Sequence, residues 1–453
     1  MKVVVTGATG FIGRRLVARL LDCGHEVTAL SRDVERARRV LPVRCRIECW
    51  DGTAPPTELL SGADAVVHLA GAGVADQRWT PRRKREINDS RVIGSRAIVR
   101  AMADLPRALR PRTLVGASAI GYYGDRSGAL LGEQDRPGEG FLADVCRAWE
   151  HELLMAEALA VRTAVIRVGI VLGASGGALQ KMLAPFRLGL GGRLGSGTQW
   201  MSWIHLDDIV GLLAFSVENS RVRGPINGVA PRPVTNTRFT ALLARALRRP
   251  AVFPVPRIMI RAAFGEMSAL MLSSQRVAAR EACRLGFTYR YPELTDALDD
   301  ICSDLSRERT SEQWLPLPLE QVFPFFSDAH NLERITPEFL SFQVRGVNTD
   351  EMRDGTVIDY RLRLHGIPLR WRSVIEGWSP DRRFVDRQMR GPYAQWIHTH
   401  EFEPHAGGTV VRDKIRYALP LSPLSDLVAS RIVERDLDQI FDFRRRKLAE
   451  LFG

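Results

Sequence analysis

The chain has 453 residues, 45% hydrophobic and 26% charged, with a net charge of +12. That length exceeds one ordinary core and implies about two or three domains, while the composition excludes a disordered or fibrous chain. Six scattered cysteines exclude a disulfide framework, and no run reaches the ~18 uncharged apolar residues of a membrane span, so a soluble protein of the reducing cytoplasm is expected.

The first element is a β-branched run, Val3 to Val5, close behind Met1, so no signal or transit segment is expected. It ends in Thr6-Gly7, glycines recur at Gly7, Gly10 and Gly13, and an amphipathic helix follows over 11–23. Strand, glycine turn and helix N-terminus in that order make a phosphate cradle. The first glycine turns tightly, the second lets backbone approach a pyrophosphate, and the third lets helix pack on strand. Unpaired N–H groups and the positive end of the helix dipole then face the anion.

Further strands are expected at 26–32, 44–51, 65–71, 112–118 and 162–169, alternating with helices at 84–104 and 141–159. Such alternation predicts a mostly parallel sheet covered by helices on both faces, an α/β Rossmann fold. Gly/Pro-rich stretches at 124–140 and 189–197 are expected as loops over the edge where such folds bind substrate. After the second strand, an NAD site usually carries an acid for the ribose 2′-OH; here the strand ends in Ser31-Arg32-Asp33. A hydroxyl followed by a guanidinium suits a 2′-phosphate, so NADP(H) is the expected cofactor. The basic run TPRRKRE (80–86) lacks interleaved aromatics and lies in a helical region, so no nucleic-acid partner is expected.

The texture changes near residue 305, which places a boundary between domains of 1–304 and 305–453. In TVIDYRLRL, Ile358, Tyr360, Leu362 and Leu364 share one face and Asp359, Arg361 and Arg363 the other. LRWRSVIEGW (369–378), YAQWIHTHEF (393–402) and TVVRDKIRYAL (409–419) repeat this pattern, which is that of antiparallel sheet with one wet face. A helical pair at 319–335 precedes the sheet. A last helix of about 25 residues keeps Val433, Leu437, Ile440, Phe441, Leu448 and Leu451 at helical spacing. Trp396, His398, His400 and Phe402 alternate onto one face, as do Val411, Asp413, Ile415 and Tyr417. Trp396, His398, His400 and Asp413 are therefore expected at the polar end of an apolar pocket, with a hydrogen-bonded histidine pair at a sheet rim as the alternative. His-x-His also points two rings one way, but no third ligand is placed by sequence and no metal is expected.

TGATGFIG, the SR after the second strand, HLAG (68–71), SAIGYYG (118–124) and WIHLDD (203–208) resemble the extended short-chain dehydrogenase/reductases. RW (78–79), SRVIGSR (90–96), RVGIVLG (167–173), GLGGRLGSGTQ (189–199) and NGVAP (227–231) resemble, more narrowly, an atypical epimerase-like branch of the NAD-dependent epimerase/dehydratase superfamily whose reaction is undefined. The resemblance covers about residues 1–300. It implies NADP contacts from Gly7, Thr9, Gly10, Phe11, Ile12, Gly13, Ser31 and Arg32, adenine against Asp51, and Leu69, Ala70 and Gly71 lining the end of the fourth strand. It also implies added positive charge near the phosphates from Arg91 and Arg96.

Typical members use Ser, Tyr and Lys; the motif alignment puts Ala119, Leu142 and Cys146 at those positions. Ser118, Tyr122, Tyr123 and Cys146 remain as substitute proton donors, with packing roles as the alternative for each. Sugar-nucleotide epimerases place an arginine where this chain has Met201, near Trp203, so an apolar substrate contacting Met201 and Trp203 is expected instead. LPLPLEQVFPFFSDAHNLERITPEFLSF (315–342), GPYAQWIHTHEF and the D-x-I-x-Y of DKIRYALPL resemble the START-like helix-grip domains of the SRPBCC, polyketide-cyclase-like group. That implies an α+β domain, its sheet wrapped around the last helix, with a cavity for a lipid-like ligand. Three readings stand: an NADP(H)-dependent oxidoreductase or epimerase-like enzyme acting on an apolar compound, a non-catalytic NADP(H)-responsive binding or scaffold protein, and a nucleotide-sugar epimerase.

Overall fold

Val3 and Val5 point to one face of a seven-stranded parallel sheet and Val4 to the other, as the two-residue period of a strand requires. The structure, a computed structural model, describes residues 1–174, 176–303, 307–419 and 424–453. Chain contacts divide it into two compact units, Met1–Ser303 and Asp304–Gly453.

In the first unit the strands are β1 (Lys2–Thr6), β2 (Glu26–Ser31), β3 (Arg46–Cys49), β4 (Ala65–His68), β5 (Thr113–Ala119), β6 (Arg162–Val168) and β7 (Gly224–Gly228), in the order β7-β6-β5-β4-β1-β2-β3. Six of these are the strands the sequence pattern predicts. The seventh, GPING, was not legible because glycine and proline are poor strand formers; it is held in place by pairing with β6. Helix α1 (Phe11–Asp22) and the helix Leu206–Glu218 bury Leu16, Leu20, Ile209 and Leu213 on one face. Helix α2 (Val34–Val40) follows β2. Helices α3 (Pro81–Asp104) and α4 (Phe141–Leu154) bury Ile98, Met102, Trp149 and Leu153 on the other face. Thr80 starts α3 by accepting from Arg83 N, with Pro81 in the first turn where its missing N–H is harmless. The order reverses between β4 and β1, so the crevice beyond their carboxyl ends is the place for a ligand.

A third cluster gathers Leu183, Phe186, Met201, Trp203, Phe239, Leu243 and Leu298. Trp203 is fully buried with its indole N–H on the Arg232 carbonyl, and Asn236 donates to the Met201 sulfur. The expected substrate contacts of Met201 and Trp203 are thereby corrected: both side chains are buried in this third core cluster.

The second unit has seven antiparallel strands: β8 (Arg307–Leu315), β9 (Gln343–Val347), β10 (Val357–Leu364), β11 (Ile367–Ser379), β12 (Arg383–Arg390), β13 (Gln395–His405) and β14 (Gly408–Ala418). Their order is β8-β14-β13-β12-β11-β10-β9. A short helix, Leu319–Ser327, and a long one, Leu424–Phe452, complete an α+β helix-grip fold. The long helix buries Val433, Leu437, Phe441 and Leu448. Among the described residues, no helix is long and apolar enough to cross a membrane.

Candidate functional site

The turn after β1 is built by steric necessity. Gly7 has φ +68°, and a Cβ there would lie 2.7 Å from the Leu69 carbonyl carbon. A Cβ on Gly13 would lie 2.2 Å from the Gly7 oxygen, so helix and turn touch only because residue 13 is glycine. Gly10 differs: it is exposed, and its Cβ would meet only the Gly7 oxygen, at 3.1 Å. The side of Gly10 away from the turn is open. Helix α1 starts there with no acidic residue in its first turn and no side-chain cap, which leaves its first N–H groups for an anion. These features fit a dinucleotide pyrophosphate.

The other expected cofactor residues surround this turn unevenly. Thr9 and Ile12 are half-buried within it. Phe11 packs its ring into the seat formed by Gly173, Gly176 and Gly177. Leu69 and Ala70 are held by Thr6, through its carbonyl and its hydroxyl. Gly71 lies against Arg91, whose guanidinium carbon would be 3.2 Å from a Cβ there. At the end of β2, Ser31 and Asp33 bond each other, and the Asp33 carboxylate accepts from Arg36 N to cap α2. Arg32 is exposed and makes no ion pair among the described residues. Asp51 braces the next turn by accepting from Thr53 and Ala54 N–H groups, which lowers its carboxyl below the usual range.

Of the two arginines expected near the phosphates, Arg91 stands against Gly71 at the end of β4, and the expectation for Arg96 is corrected. Arg91 Nη1 donates to the Ala72 and Ile87 carbonyls, and the guanidinium lies 5.0 Å above the Trp149 ring. Arg96 sits on the exposed side of α3 in a bidentate pair with Glu152 of α4. Helical periodicity separates the two: five residues apart, they cannot share a face.

At the carboxyl end of β5 lies a buried polar network. Glu150 of α4 accepts two hydrogen bonds from Arg167 and one of 2.6 Å from Ser118. Arg167 also donates to the Tyr123 hydroxyl and the Glu133 carbonyl, and Tyr123 lies 2.7 Å from Asn227 Oδ1. Burial works against the Arg167 charge, but Glu150 outweighs it and holds the guanidinium protonated. Burial also pushes the Tyr123 phenol up to about 12 and the Cys146 thiol up to about 11. Cys146 rests its sulfur 3.7 Å from the Ala119 carbonyl. Three of the four expected proton donors, Ser118, Tyr123 and Cys146, are thus committed to structure.

Tyr122 is different. It is half-buried, its hydroxyl makes no hydrogen bond among the described residues, and the Arg167 guanidinium carbon lies 3.5 Å from its ring centroid. Sequence reading missed Arg167 and Glu150 as the centre of this site. The available signal was a lone arginine inside the apolar strand AVIRV.

His205, Asp207 and Asp208 hold a turn. His205 caps the helix by accepting from Asp207 N, and Asp208 accepts from Arg290 and Tyr291 N–H groups.

In the second unit, strand register creates a second polar cluster. His400 lies directly opposite Asp413, and Asp386 opposite His398. His398 Nε2 is 3.0 Å from Asp413 Oδ1; His400 Nδ1 is 2.7 Å from the same oxygen without hydrogen-bond alignment. Arg444 approaches the other Asp413 oxygen at 3.7 Å. Burial pushes His398 down to about 3, while the two histidines outweigh burial and hold Asp413 well below the carboxylate range. The three ligand atoms lie within 4.8 Å of one another, but the carboxylate is already balanced by Arg444. The expected pocket at these residues is corrected. Beside Asp413 the void is about 10 Å³, the size of one water, because Phe384, Phe402 and Phe441 fill the space. Trp396 instead meets Trp371 edge-on and packs tilted against Tyr393 and Tyr417. An open cavity of about 460 Å³ lies elsewhere in the unit, lined by Phe339, His365, Ile432, Arg435, Asp436 and Gln439.

Comparison with known proteins follows this division. A family model described as the NAD dependent epimerase/dehydratase family matches residues 3–227, and one for a domain of unknown function (DUF1731) matches 255–301. A third, for polyketide cyclase / dehydrase and lipid transport, matches 308–452. The chloroplastic epimerase family protein SDR39U1 homolog of Arabidopsis thaliana is 41% identical over 306 residues, covering 66% of this chain and 86% of its own length. Epimerase family protein YfhF of Bacillus subtilis is 36% identical, covering 67% of this chain and 99% of its own length. The crystal structure of human epimerase family protein SDR39U1 with NADPH is similar at a TM-score of 0.60 and 35% identity, over 67% of this chain and all of that one. A nucleoside-diphosphate sugar epimerase from Corynebacterium glutamicum follows at 0.55 and 33% identity, over 67% of this chain and 58% of that one.

Proposed function

Because the chain belongs to the NAD-dependent epimerase/dehydratase family, joined here to a polyketide-cyclase-like domain, we propose that it is an NADP(H)-dependent oxidoreductase or epimerase-like enzyme for an apolar carbonyl compound. The observation that carries the cofactor choice is the end of β2, where Asp33 is spent on a helix cap and Arg32 is left exposed. The human relative solved with NADPH supports the same choice. Bound cofactor supplies or accepts a hydride. The chain supplies the proton: Tyr122 gives its hydroxyl proton to the substrate oxygen as the carbonyl becomes an alcohol, and Arg167 over the ring faces the charge left behind. The cavity of about 460 Å³ in the second unit is of a size for a lipid- or polyketide-like ligand. The six cysteines, none in a disulfide, support a reducing compartment such as the cytoplasm.

The test has two parts. Titration with NADPH and NADH, followed by nicotinamide fluorescence, is expected to favour NADPH, with the preference lost in Arg32→Ala. NADPH oxidation is then followed with extracted lipids as substrate, and Tyr122→Phe is expected to lower kcat by about 10²-fold or more. Absence of any turnover would favour the non-catalytic reading, which draws on the structural commitment of Ser118, Tyr123 and Cys146.

A further inference from the structure

From Asn219 to Gly265 the chain carries nine arginines and no aspartate or glutamate, and residues 158–206 are also free of acids. The fold brings parts of these two stretches together. Phe253 and Val255 N–H groups donate to the Gly191 and Arg193 carbonyls, and Gly195 N donates back to Val255. Gly192 must be glycine there, since its Cβ would fall on the Phe253 oxygen. The result sets Leu190 beside Val252 and Phe253, all more than half exposed.

The next helix, Arg257–Phe264, extends this surface. Only Ile260 of its residues is buried; Ile258 is 77% exposed and Met259 59%. Arg78 donates to the Ala262 carbonyl, and Lys84 pairs with Glu266, so the basic run 80–86 borders the same helix. Arg82, Arg85, Arg248, Arg257 and Arg261 are exposed and make no ion pair among the described residues. The acids in reach are already paired: Asp76 and Glu86 with Arg83, Glu266 with Lys84.

We propose that this face docks on an anionic phospholipid surface, with Ile258, Met259, Phe253 and Leu190 at the headgroup–acyl boundary and the arginines on the headgroup phosphates. Apolar side chains flanked by unpaired arginines on a helix too short to span are the pattern of an interfacial helix. Charge selects this occupant over a second copy of the chain, because the bordering carboxylates are already paired and self-association would press unpaired arginines against one another.

The experiment is co-sedimentation of the full chain with phosphatidylcholine vesicles and with mixed phosphatidylcholine–phosphatidylglycerol vesicles, at low and raised salt. Binding is expected to the mixed vesicles only and to weaken with salt. Arg257→Gln with Arg261→Gln should weaken it by more than tenfold, at about fivefold per arginine. Phe253→Gln with Ile258→Gln should do the same at unchanged net charge. All four side chains are exposed, and retained NADPH binding reports an intact fold. Failure of the parent chain to sediment with mixed vesicles overturns the proposal. So does binding that survives the apolar exchange, since it would be charge attraction alone, shared with nucleic acid. Concentration-dependent dimerisation abolished by the same exchange would assign the face to a second copy instead.

Discussion

Glu150 and Arg167 illustrate how much a single buried pair is asked to hold. Their bidentate contact is almost fully enclosed, and Ser118, Tyr123 and Glu133 converge on it. Removing one partner leaves the other charged in a dry site, so Arg167→Met is expected to destabilise the first unit by about 3–5 kcal/mol, read as a lower urea midpoint. Ser118→Ala removes one hydrogen bond to the carboxylate and should lose only about 1–3 kcal/mol. Two histidines make a pH prediction. His68 is pushed down to about 4 and His398 to about 3, each by burial, against an ordinary 6.5. Their neutral forms are therefore the folded ones. The stability they contribute is complete above pH 6.5 and is lost as the pH falls toward those values, because only the unfolded chain takes up the proton. The loss is about 1.4 kcal/mol per pH unit for each histidine within that window. Urea unfolding at successive pH values should show this slope, and His68→Gln should reduce it in the first unit. An unchanged slope in that variant would show that His68 titrates normally.

At the scale of elements, the glycine turn separates folding from binding. Gly13→Ala would place a Cβ 2.2 Å from the Gly7 oxygen and should destabilise the whole first unit, measured by thermal melting. Gly10→Ala has only a 3.1 Å contact to accommodate, so the melting temperature should hold while NADPH affinity falls by roughly tenfold, about 1.4 kcal/mol. Equal loss of stability in both variants would mean that the second glycine serves the fold and not the phosphate. These elements were legible in the sequence because strand and helix periods are local. Val3 to Val5, the amphipathic face of α1 and the alternation of 357–364 are each seen within one turn or a few strand residues. Strands 307–315, 343–347 and 383–390 were not, because polar residues interrupt their alternation and pairing with neighbours decides them.

At the scale of the molecule, each unit has its own core. Residues 1–303 alone are expected to fold and to bind NADPH as the full chain does, since relatives of about that length cover 65–67% of this chain and 86–99% of themselves. Weaker NADPH binding by the shortened chain would show that the second unit contributes to the cofactor site.

The order of residues along the chain was enough to announce a dinucleotide cradle, a Ser-Arg pair suited to a 2′-phosphate, two fold types and the loss of the usual Tyr and Lys. Each motif among these lies within about 30 positions, and the fold types follow from repeating such local periods along the chain. Which groups are free to act was a different matter. Ser118, Tyr123 and Cys146 differ from Tyr122 only in having partners contributed by α4, β7 and the end of β5. Met201 and Trp203 read as pocket residues until packing buried them in the third core cluster, and His400 met Asp413 only through the register of β13 with β14. Burial and hydrogen bonding are properties of groups distant in sequence and adjacent in space, so tertiary packing alone decided which side chains hold the fold and which remain to do chemistry.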